Sequence, residues 1–380
     1  MALISYIGGE DVRMRIPILS LLKKRGYQVE AIGTNDSKAF TKTDIAYFDY
    51  PLNRWLSPFA DKQSKQHLSK LLSTNKPDII HLFDTKPGVL VPKVAKKSGV
   101  KFVVRTVTGM GYIYSSNSLF SKMLRPFYRM AQKKAISQTD VVIFQNTDDQ
   151  KYFEKHKLVS ADKSVLVRSS GLPVDDFVSK QADAKTKIAM KEKLNIKEGD
   201  VVVTLIARLV KDKGILEYLE SAKQLAHKPN IKFLLIGPLG TEGKQAISKE
   251  TIESYSQYIN YVGSISNVAE YLSISDIFVL PTYYREGLPR ILLEAGSLGL
   301  PLITTDMPGC RDVVTDGWNG LLVPTRDSNA LAKSIDTLAS NEKMRLEMGE
   351  KNPEFIKNNF DLSIVEKAYS DIYADLLNDL

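Results

Sequence analysis

Short apolar runs alternate with amphipathic stretches along almost the whole chain. The runs are rich in Val, Ile and Leu, and several end at glycine or proline, which is typical of buried parallel strands. The stretches between them repeat apolar residues every three or four positions, which predicts helices. Because strands and helices alternate, the pattern predicts parallel sheets with helices on both faces.

This pattern occurs twice, on either side of a charged stretch at 180–200 that we interpret as a linker. The first series predicts strands at 3–7, 29–33, 78–82, 101–105, 140–144 and 164–167, with helices at 13–25, 88–98 and 117–136. The second predicts strands at 200–206, 232–236, 259–263, 276–281, 301–305 and 320–324, with helices from 215 and at 328–340, 342–358 and 362–378. We therefore predict two doubly wound domains, 1–183 and 184–360, and a final helix within 361–380 that crosses back to the first domain.

Two glutamates frame the most informative stretch of the second series. Glu286 stands in the predicted loop after the strand at 276–281, and Glu294 stands in the helix that follows, between apolar neighbours. Such a loop lies at the carboxyl end of the sheet, where open α/β folds bind ligands, and a helix N-terminus favours phosphate. This spacing suits an extended nucleotide-sugar. The alternative is two exposed glutamates on an amphipathic helix.

Cations and glycines follow other predicted strands. Arg208 and Lys213 come just after the strand at 200–206, so both can converge on one diphosphate, although a pair of surface cations is the alternative. Gly8 and Gly9 follow the first strand, where a missing side chain lets the backbone approach a phosphate. A plain tight turn explains these glycines equally well.

Charge is divided unevenly along the chain. Residues 1–185 hold 30 Lys+Arg against 17 Asp+Glu, whereas 186–380 hold 22 against 27. A basic half indicates an anionic partner, either a membrane surface or nucleic acid. Zinc-finger spacing, RNP-type aromatic motifs and basic low-complexity tails are absent from the sequence, so we expect no nucleic acid.

The cysteine count, the N-terminal residues and the length of the apolar runs bear on compartment and membrane topology. The single cysteine, Cys310, rules out an intrachain disulfide and fits a reducing compartment. The N-terminus lacks the basic start of a signal peptide, and no apolar run reaches 18 residues. We therefore expect a cytoplasmic protein without a transmembrane helix.

The helix predicted at 117–136 interleaves apolar and basic side chains. The residues that we expect to face a membrane are Phe120, Lys122, Leu124, Arg125, Phe127, Arg129 and Lys133. The alternative is a core helix with a solvated basic face. Pro126 is expected to kink this helix or to end a first piece of it. Trp55, in the loop 51–56, is either a further membrane anchor or a buried side chain.

Taken together, the motifs of 200–325 resemble those of the family 4 glycosyltransferases, which have the two-domain GT-B fold. The matching segments are Ile206-Ala207-Arg208-Leu209 with Lys213-Gly214, Ile236-Gly237, Tyr261-Val262-Gly263, 275–282, Glu286-Gly287-Leu288-Pro289 with Leu293-Glu294-Ala295, and 317–323. The first half is similar more loosely. Its segments 15–17, 25–29 and 107–112 resemble members that build oligosaccharides on polyprenyl-diphosphate carriers.

The resemblance implies a retaining transfer from a UDP-sugar. It implies that Arg208 and Lys213 neutralise the leaving diphosphate, that Glu286 holds the donor sugar, and that Glu294 binds the ribose hydroxyls. Further donor contacts are implied for Gly8, Gly9, Gly237, Val262, Gly287, Leu288 and Pro289. The acceptor would supply the nucleophile and the leaving phosphate would take its proton, so no side-chain base is expected.

One position departs from the family pattern. Many relatives carry a histidine near the donor sugar, just before the glycine that corresponds to Gly109, and this chain has Thr108 there. Thr108 and Gly109 are still expected near the donor sugar or the acceptor. The four histidines are scattered and no Asp-x-Asp triplet occurs, so we expect neither a metal nor another cofactor.

The leading hypothesis is an enzyme that extends a lipid-linked glycan at the inner face of an anionic membrane. The same chemistry on a small soluble acceptor is an alternative, which negligible binding to anionic liposomes would favour. A non-catalytic sugar-nucleotide sensor is another, although a sensor has no need of both cations. An epimerase of similar two-domain shape is a third, and product analysis without acceptor would reveal it.

Overall fold

The computed structural model describes residues 1–53, 57–115, 118–239 and 245–378. The predictions for Trp55 and for the helix start at Asn117 lie outside these residues. Contacts divide the chain into two compact units. The first comprises Met1–Gly171, Glu286–Leu288 and Leu362–Leu380, and the second comprises Leu172–Arg285 and Pro289–Asp361.

The first unit is built on a parallel sheet. Its strands are β1 (Leu3–Ile7), β2 (Gln28–Gly33), β3 (Ala46–Asp49), β4 (Ile79–Leu82), β5 (Phe102–Val107), β6 (Val141–Phe144) and β7 (Ser164–Leu166), in the order β3-β2-β1-β4-β5-β6-β7. Its helices up to β7 are α1 (Ile16–Lys24), α2 (Ser37–Phe40), α3 (Pro58–Asn75), α4 (Thr85–Leu90), α5 (Pro92–Lys97), α6 (Tyr112–Ser115), α7 (Leu119–Ile136) and α8 (Thr147–Lys155). Apolar side chains are buried on both faces of the sheet, as expected for a doubly wound fold.

The second unit repeats this architecture. Its strands are β8 (Val201–Ile206), β9 (Ile231–Ile236), β10 (Asn260–Gly263), β11 (Ile277–Leu280), β12 (Leu302–Thr305) and β13 (Gly320–Val323), in the order β10-β9-β8-β11-β12-β13 and all parallel. Its helices are α9 (Val174–Val178), α10 (Ala184–Lys193), α11 (Ile215–Gln224), α12 (Lys249–Ser254), α13 (Val268–Leu272), α14 (Arg290–Ser297), α15 (Ser328–Ser340), α16 (Glu342–Glu350) and α17 (Asn352–Phe360). The predicted pair of doubly wound sheets is confirmed.

The last helix, α18 (Leu362–Asn378), belongs to the first unit. Its Tyr373 hydroxyl is hydrogen-bonded to both Tyr6 and His81 in the core of that unit. The other ring nitrogen of His81, Nε2, lies 2.7 Å from the Thr106 hydroxyl. His81 is therefore a core residue with a structural role, and burial lowers its pKa well below the usual value.

Several predicted boundaries were wrong. The single helix predicted at 88–98 is two helices, because Pro92 starts α5, and 342–358 divides in the same way before Pro353 of α17. The predicted linker at 180–200 contains α10, none of whose side chains is buried. The first compact unit ends its main segment at Gly171, while the domain division at 183/184 stays a prediction. β3 and α3 were not predicted.

Candidate active site

The predicted donor residues of the second unit follow adjacent parallel strands. Arg208 comes just after β8, Gly237 just after β9, Val262 lies near the end of β10, and the segment 281–285 follows β11. The carboxyl ends of parallel strands lie at the same edge of a sheet, so these positions share one edge. This edge is where open α/β folds bind their ligands.

Asp212 fixes the cationic turn of this edge in place. Its backbone carbonyl accepts hydrogen bonds from the Thr282 hydroxyl (3.0 Å), the Tyr283 N–H (2.9 Å) and the Tyr284 N–H (3.2 Å). The turn then passes through Gly214 at φ 74°, where a Cβ would lie 2.2 Å from the Pro281 oxygen. Only glycine fits there, so the turn that holds Lys213 is clamped onto the loop after β11.

Three cationic side chains influence the Asp212 carboxylate. Burial raises the pKa of Asp212, and the nearby charges of Arg326, Lys213 and Arg208 act against that rise. The Lys213 ammonium also lies 6.0 Å from the centre of the Tyr284 ring. Both predicted cations thus act on the same carboxylate. The sequence analysis missed Asp212, whose signal was an acid between Lys211 and Lys213 in the loop after a strand.

Glu294 is a largely buried carboxylate. It lies in α14 with its side chain only 13% exposed, and the Arg290 Nε donates to its Oε1 at 2.8 Å. Burial raises the pKa of Glu294, and the charge and hydrogen bond of Arg290 counteract this only in part. The alternative of an exposed helix-face glutamate is therefore wrong for Glu294. A carboxylate held in this way can accept hydrogen bonds from ligand hydroxyls.

Gly237 has a clear packing role. It adopts φ 146°, and a Cβ there would lie 1.8 Å from the Ala207 oxygen. The Tyr261 hydroxyl donates to the Gly237 carbonyl at 3.0 Å. Glycine is therefore required by the fold at this position, whatever it contacts, and the donor role of Gly237 stays a prediction. Val262 is half-buried beside it in sequence.

In the first unit, Gly8 and Gly9 follow β1 at the carboxyl edge of the sheet. The Gly9 N–H donates to Asp84 Oδ2 at 3.0 Å, and the Tyr50 hydroxyl donates to the Gly8 carbonyl at 2.8 Å. A Cβ on Gly8 would lie 3.4 Å from the nearest atom, on Val12, which is an ordinary contact. Packing therefore leaves room for a Cβ at Gly8.

Asp84 is a second residue that the sequence analysis missed. It follows β4 directly and adopts φ 67°, a strained backbone angle for a residue other than glycine. Its carboxylate holds the Gly9 N–H, so the strain accompanies a contact that shapes the glycine loop. Strained residues of this kind cluster at functional sites, which is consistent with this edge being one.

The segment Glu286–Leu288 makes its contacts within the first unit. The Gly287 N–H donates to the Thr108 carbonyl at 2.8 Å, and Glu286 and Gly109 form an isolated antiparallel bridge. The Asn146 Nδ2 donates to the Gly287 carbonyl at 2.8 Å. Thr108 and Gly109, predicted near the donor sugar, are therefore brought directly to Glu286.

This arrangement changes the expectation for Gly287. Its N–H is engaged by Thr108, and a Cβ on Gly287 would lie 2.2 Å from Gln145 Oε1 and 2.9 Å from the Thr108 carbonyl carbon. The glycine is thus explained by close packing of two backbones. Thr108 contributes its carbonyl to this packing. Leu288 is half-buried and Pro289 is buried beside this loop, and their predicted donor contacts remain predictions.

Asn146 was also missed from the sequence. It is fully buried directly after β6, and its Oδ1 accepts from the Asp149 N–H at 2.8 Å, which caps α8. The cap orients the amide so that its Nδ2 reaches Gly287. The available signal was an asparagine between a strand and a helix, which indicates a cap but not the second contact.

α7 carries an exposed apolar stripe. Phe120 is 69% exposed and Phe127 is 65% exposed, and Leu119, Met123 and Met130 are exposed with them. Lys122 and Lys133 are exposed, whereas Leu124, Arg125 and Arg129 are half-buried. The alternative of a core helix is wrong because these large apolar residues face outward. Pro126 lies inside one continuous helix, so the expectation that it ends a first piece is wrong.

Within residues 1–53, 57–115, 118–239 and 245–378, no group of three or more His, Cys, Asp or Glu side chains is placed to hold a metal ion. In the same part of the chain, no helix has both the length and the apolar character needed to cross a membrane.

Comparison with known proteins agrees with this architecture. Residues 186–355 match the family described as Glycosyl transferases group 1, and residues 4–146 match Glycosyl transferase 4-like. The chain is 27% identical over 380 residues, 99% of both chains, to N,N'-diacetylbacillosaminyl-diphospho-undecaprenol alpha-1,3-N-acetylgalactosaminyltransferase of Campylobacter jejuni. It is 27% identical over 336 residues to UDP-Gal:alpha-D-GlcNAc-diphosphoundecaprenol alpha-1,3-galactosyltransferase of Escherichia coli, covering 87% of this chain and 84% of that one.

Solved structures share the fold. A glycosyltransferase from Rickettsia africae matches with a TM-score of 0.81 at 20% identity, covering 100% of this chain and 99% of that one. Anabaena Alr3699/HepE in complex with UDP matches with a TM-score of 0.79 at 12% identity, covering 99% and 100%. These likenesses place both units in the GT-B fold. The two family matches, over residues 4–146 and 186–355, identify the chain as a glycosyltransferase.

Proposed function

We propose that this enzyme transfers a hexosyl or N-acetylhexosaminyl group from a UDP-sugar to a polyprenyl-diphosphate-linked glycan, with retention of anomeric configuration. Arg208 and Lys213, whose charges both act on Asp212 in the turn after β8, carry the proposal together with the largely buried Glu294 carboxylate. The names of two relatives, which specify diphospho-undecaprenol acceptors, and of one that specifies UDP-Gal as donor, support the choice of substrates.

Each donor residue has a distinct task in this mechanism. Arg208 and Lys213 neutralise the diphosphate as the bond between the sugar and the phosphate breaks, which is where negative charge develops. Glu294 accepts hydrogen bonds from the ribose hydroxyls. Glu286, positioned through its neighbour Gly287, holds the hydroxyls of the donor sugar. The acceptor hydroxyl attacks the anomeric carbon from the same face, and its proton passes to the leaving phosphate.

The acceptor side rests on α7. Its exposed Phe120 and Phe127 suit insertion into the interfacial region of a bilayer, and the cations of the same helix suit anionic headgroups. The excess of Lys and Arg in residues 1–185 adds a long-range attraction to such a surface. The enzyme would then work peripherally on the inner face of the cell membrane, where a polyprenyl-linked glycan presents its sugar. We propose no metal, no other cofactor and no nucleic-acid partner.

A donor panel tests the proposal. Radiolabelled UDP-, GDP- and ADP-sugars are incubated with the protein, with and without bacterial membrane lipid extract, and label is counted in the organic phase. Transfer from one UDP-sugar into the lipid phase, lost in Glu286→Ala, is the expected result. Transfer only to a soluble acceptor would support the small-acceptor alternative. One relative, N-acetyl-alpha-D-glucosaminyl L-malate synthase of Bacillus anthracis, is the reason for including this alternative. Bound nucleotide without any transfer would contradict the proposal.

A further inference from the structure

A second polar site lies inside the first unit, on the inner side of α7. Arg105, in β5, is 1% exposed, and its Nε and Nη1 have no hydrogen-bond partner among the described residues. Its neighbours on the same strand face are Val103 and Val107, which belong to two separate apolar clusters. Burial lowers the pKa of Arg105 to about 10, so the guanidinium remains charged at neutral pH. A buried charge without an acceptor is strongly unfavourable.

The absence of a side chain at Gly88 leaves space for the Arg105 guanidinium. Gly88 of α4 packs directly on it, and a Cβ at that position would lie 2.4 Å from Arg105 Nε and 2.9 Å from Cζ. A side chain at residue 88 would therefore displace the arginine. The position of Arg105 is defined by the helix packed against it.

α7 supplies the other side of the site. Tyr128 lies close enough to Arg105 to influence its pKa, and Gln132 follows one turn later on the same face of the helix. Gln132 is fully buried, and both its Nε2 and its Oε1 are without hydrogen-bond partners among the described residues. A buried amide and a buried guanidinium thus both have unused donors under one helix.

We propose that Arg105 and Gln132 form a binding site for a phosphate group beneath α7. A guanidinium presents paired donors that match two phosphate oxygens, and the Gln132 amide adds a neutral donor. The group would come from inorganic phosphate or from a lipid headgroup. This site is separate from the proposed donor edge of the second unit and does not depend on the proposed function.

Entry of the phosphate requires α7 to move, because Arg105 is covered in this structure. Pro126 lies within α7, two residues before Tyr128, and has no N–H, so the helix lacks one internal hydrogen bond there. The outer face of the same helix carries the apolar stripe proposed to bind the membrane. Binding of that stripe to a bilayer would therefore promote movement of α7, the helix that covers Arg105.

Thermal unfolding of the full chain tests the site, with saturating UDP present so that phosphate binding at the donor edge does not contribute. Inorganic phosphate is titrated against chloride at matched ionic strength. We expect the unfolding midpoint of the wild type to rise by roughly 2–4 °C at tenfold excess over Kd. Arg105→Met and Gln132→Leu should abolish or sharply reduce the rise, whereas Lys134→Gln, an exposed control on α7, should keep it.

The Arg105→Met variant is expected to fold, because replacing a buried unpaired charge with an apolar side chain of similar length is often neutral or stabilising. A second arm replaces phosphate with phosphatidylcholine vesicles, compared with micelles of a phosphate-free maltoside detergent. A rise with vesicles alone assigns the site to a lipid headgroup, and a rise with inorganic phosphate assigns it to the free ion. No rise in either arm, an equal rise with chloride, or an equal rise in Arg105→Met would overturn the proposal.

Discussion

Arg290 and Glu294, one helical turn apart on α14, form an ion pair with Nε 2.8 Å from Oε1. The pair holds a largely buried carboxylate whose pKa is raised by burial and partly lowered again by the arginine. A carboxylate must be ionised to accept hydrogen bonds from two hydroxyls with both oxygens. With the proposed role of Glu294 at the ribose, the pair would couple nucleotide binding to the protonation of Glu294.

The first prediction concerns pH. Because the pKa of Glu294 is raised, UDP binding should weaken as pH falls through that raised value, and Glu294→Gln should remove this acidic limb. Arg290→Gln removes the influence that lowers the pKa, so the limb should move to higher pH. Isothermal calorimetry of UDP binding between pH 5 and 8 measures this (a range of about three units around neutrality). An unchanged acidic limb in Glu294→Gln would refute the assignment.

Folding stability should respond to the same group with the opposite sign. A carboxyl whose folded pKa is raised adds stability below its unfolded pKa and loses it as pH rises through the folded value. Glu294→Gln should therefore flatten this fall in the free energy of unfolding. The measurement is urea unfolding of wild type and variant at a series of pH values. Parallel curves would contradict the raised pKa.

Lys213 and Lys211 provide a matched pair of cations on one turn. Lys213 interacts with the Asp212 carboxylate and the Tyr284 ring, whereas Lys211 is exposed. We expect Lys213→Ala to lower kcat by roughly 10²- to 10³-fold, because transition-state charge is left uncompensated. Lys211→Ala should stay near wild type. Equal losses in both variants would point to general electrostatic attraction instead.

Substitution of Gly8 is expected to affect the site without disturbing the fold. A Cβ there makes only an ordinary contact with Val12, whereas a Cβ on Gly33 would lie 2.5 Å from the same residue. Gly8→Ala should leave the unfolding midpoint nearly unchanged and lower transfer at least roughly tenfold, because a methyl group blocks close approach of the diphosphate. Gly33→Ala should lose about 1–3 kcal/mol of stability. Full activity of a folded Gly8→Ala protein would remove Gly8 from the site.

Asn146 is expected to affect the rate of transfer in addition to capping α8. Asn146→Ala removes the α8 cap and also the hydrogen bond to the Gly287 carbonyl. Asn341→Ala, which removes a comparable cap from α16, is the control, and each change should cost about 1 kcal/mol of stability. Only Asn146→Ala should lower kcat more than it changes KM. Identical kinetics in the two variants would assign Asn146 to stability alone.

Binding of α7 to membranes is tested by vesicle co-sedimentation. The double variant Phe120→Ser/Phe127→Ser should bind anionic vesicles at least roughly tenfold more weakly than wild type, because two apolar anchors are lost. Leu346→Ser changes an exposed apolar residue of α16 and serves as the control. Wild-type binding should also weaken with added salt. Unchanged binding of the double variant would exclude α7 as the docking surface.

The sequence predicted best those elements whose apolar residues recur regularly. α18 was placed at 362–378 because its buried face repeats along the whole helix. α10 was taken for a linker because none of its side chains is buried, so no period appears. The sign of α10 that remains in the sequence is its N-cap residue, Asp183, whose side chain accepts a hydrogen bond from the Thr186 N–H. Weakly packed helices leave only such local signs in a sequence.

The missed residues of the site share a different cause. The Asp84 and Asn146 side chains and the Asp212 carbonyl make hydrogen bonds to groups distant along the chain, so neither periodicity nor motif spacing reveals them. Glu286 and Glu294, by contrast, stand in a loop-helix motif whose local structure follows from the sequence. Their type and position were therefore predictable, while the Thr108 carbonyl that holds Gly287 was not.

Transfer to lipid in the absence of free metal is the most direct test of the central claim. The UDP-sugar selected by the donor panel is incubated with membrane lipid extract and excess EDTA, and label in the organic phase is followed for wild type, Lys213→Ala and Lys211→Ala. The account predicts steady transfer by wild type and Lys211→Ala and almost none by Lys213→Ala. Transfer that disappears with EDTA, or that survives in Lys213→Ala at the wild-type rate, would contradict it.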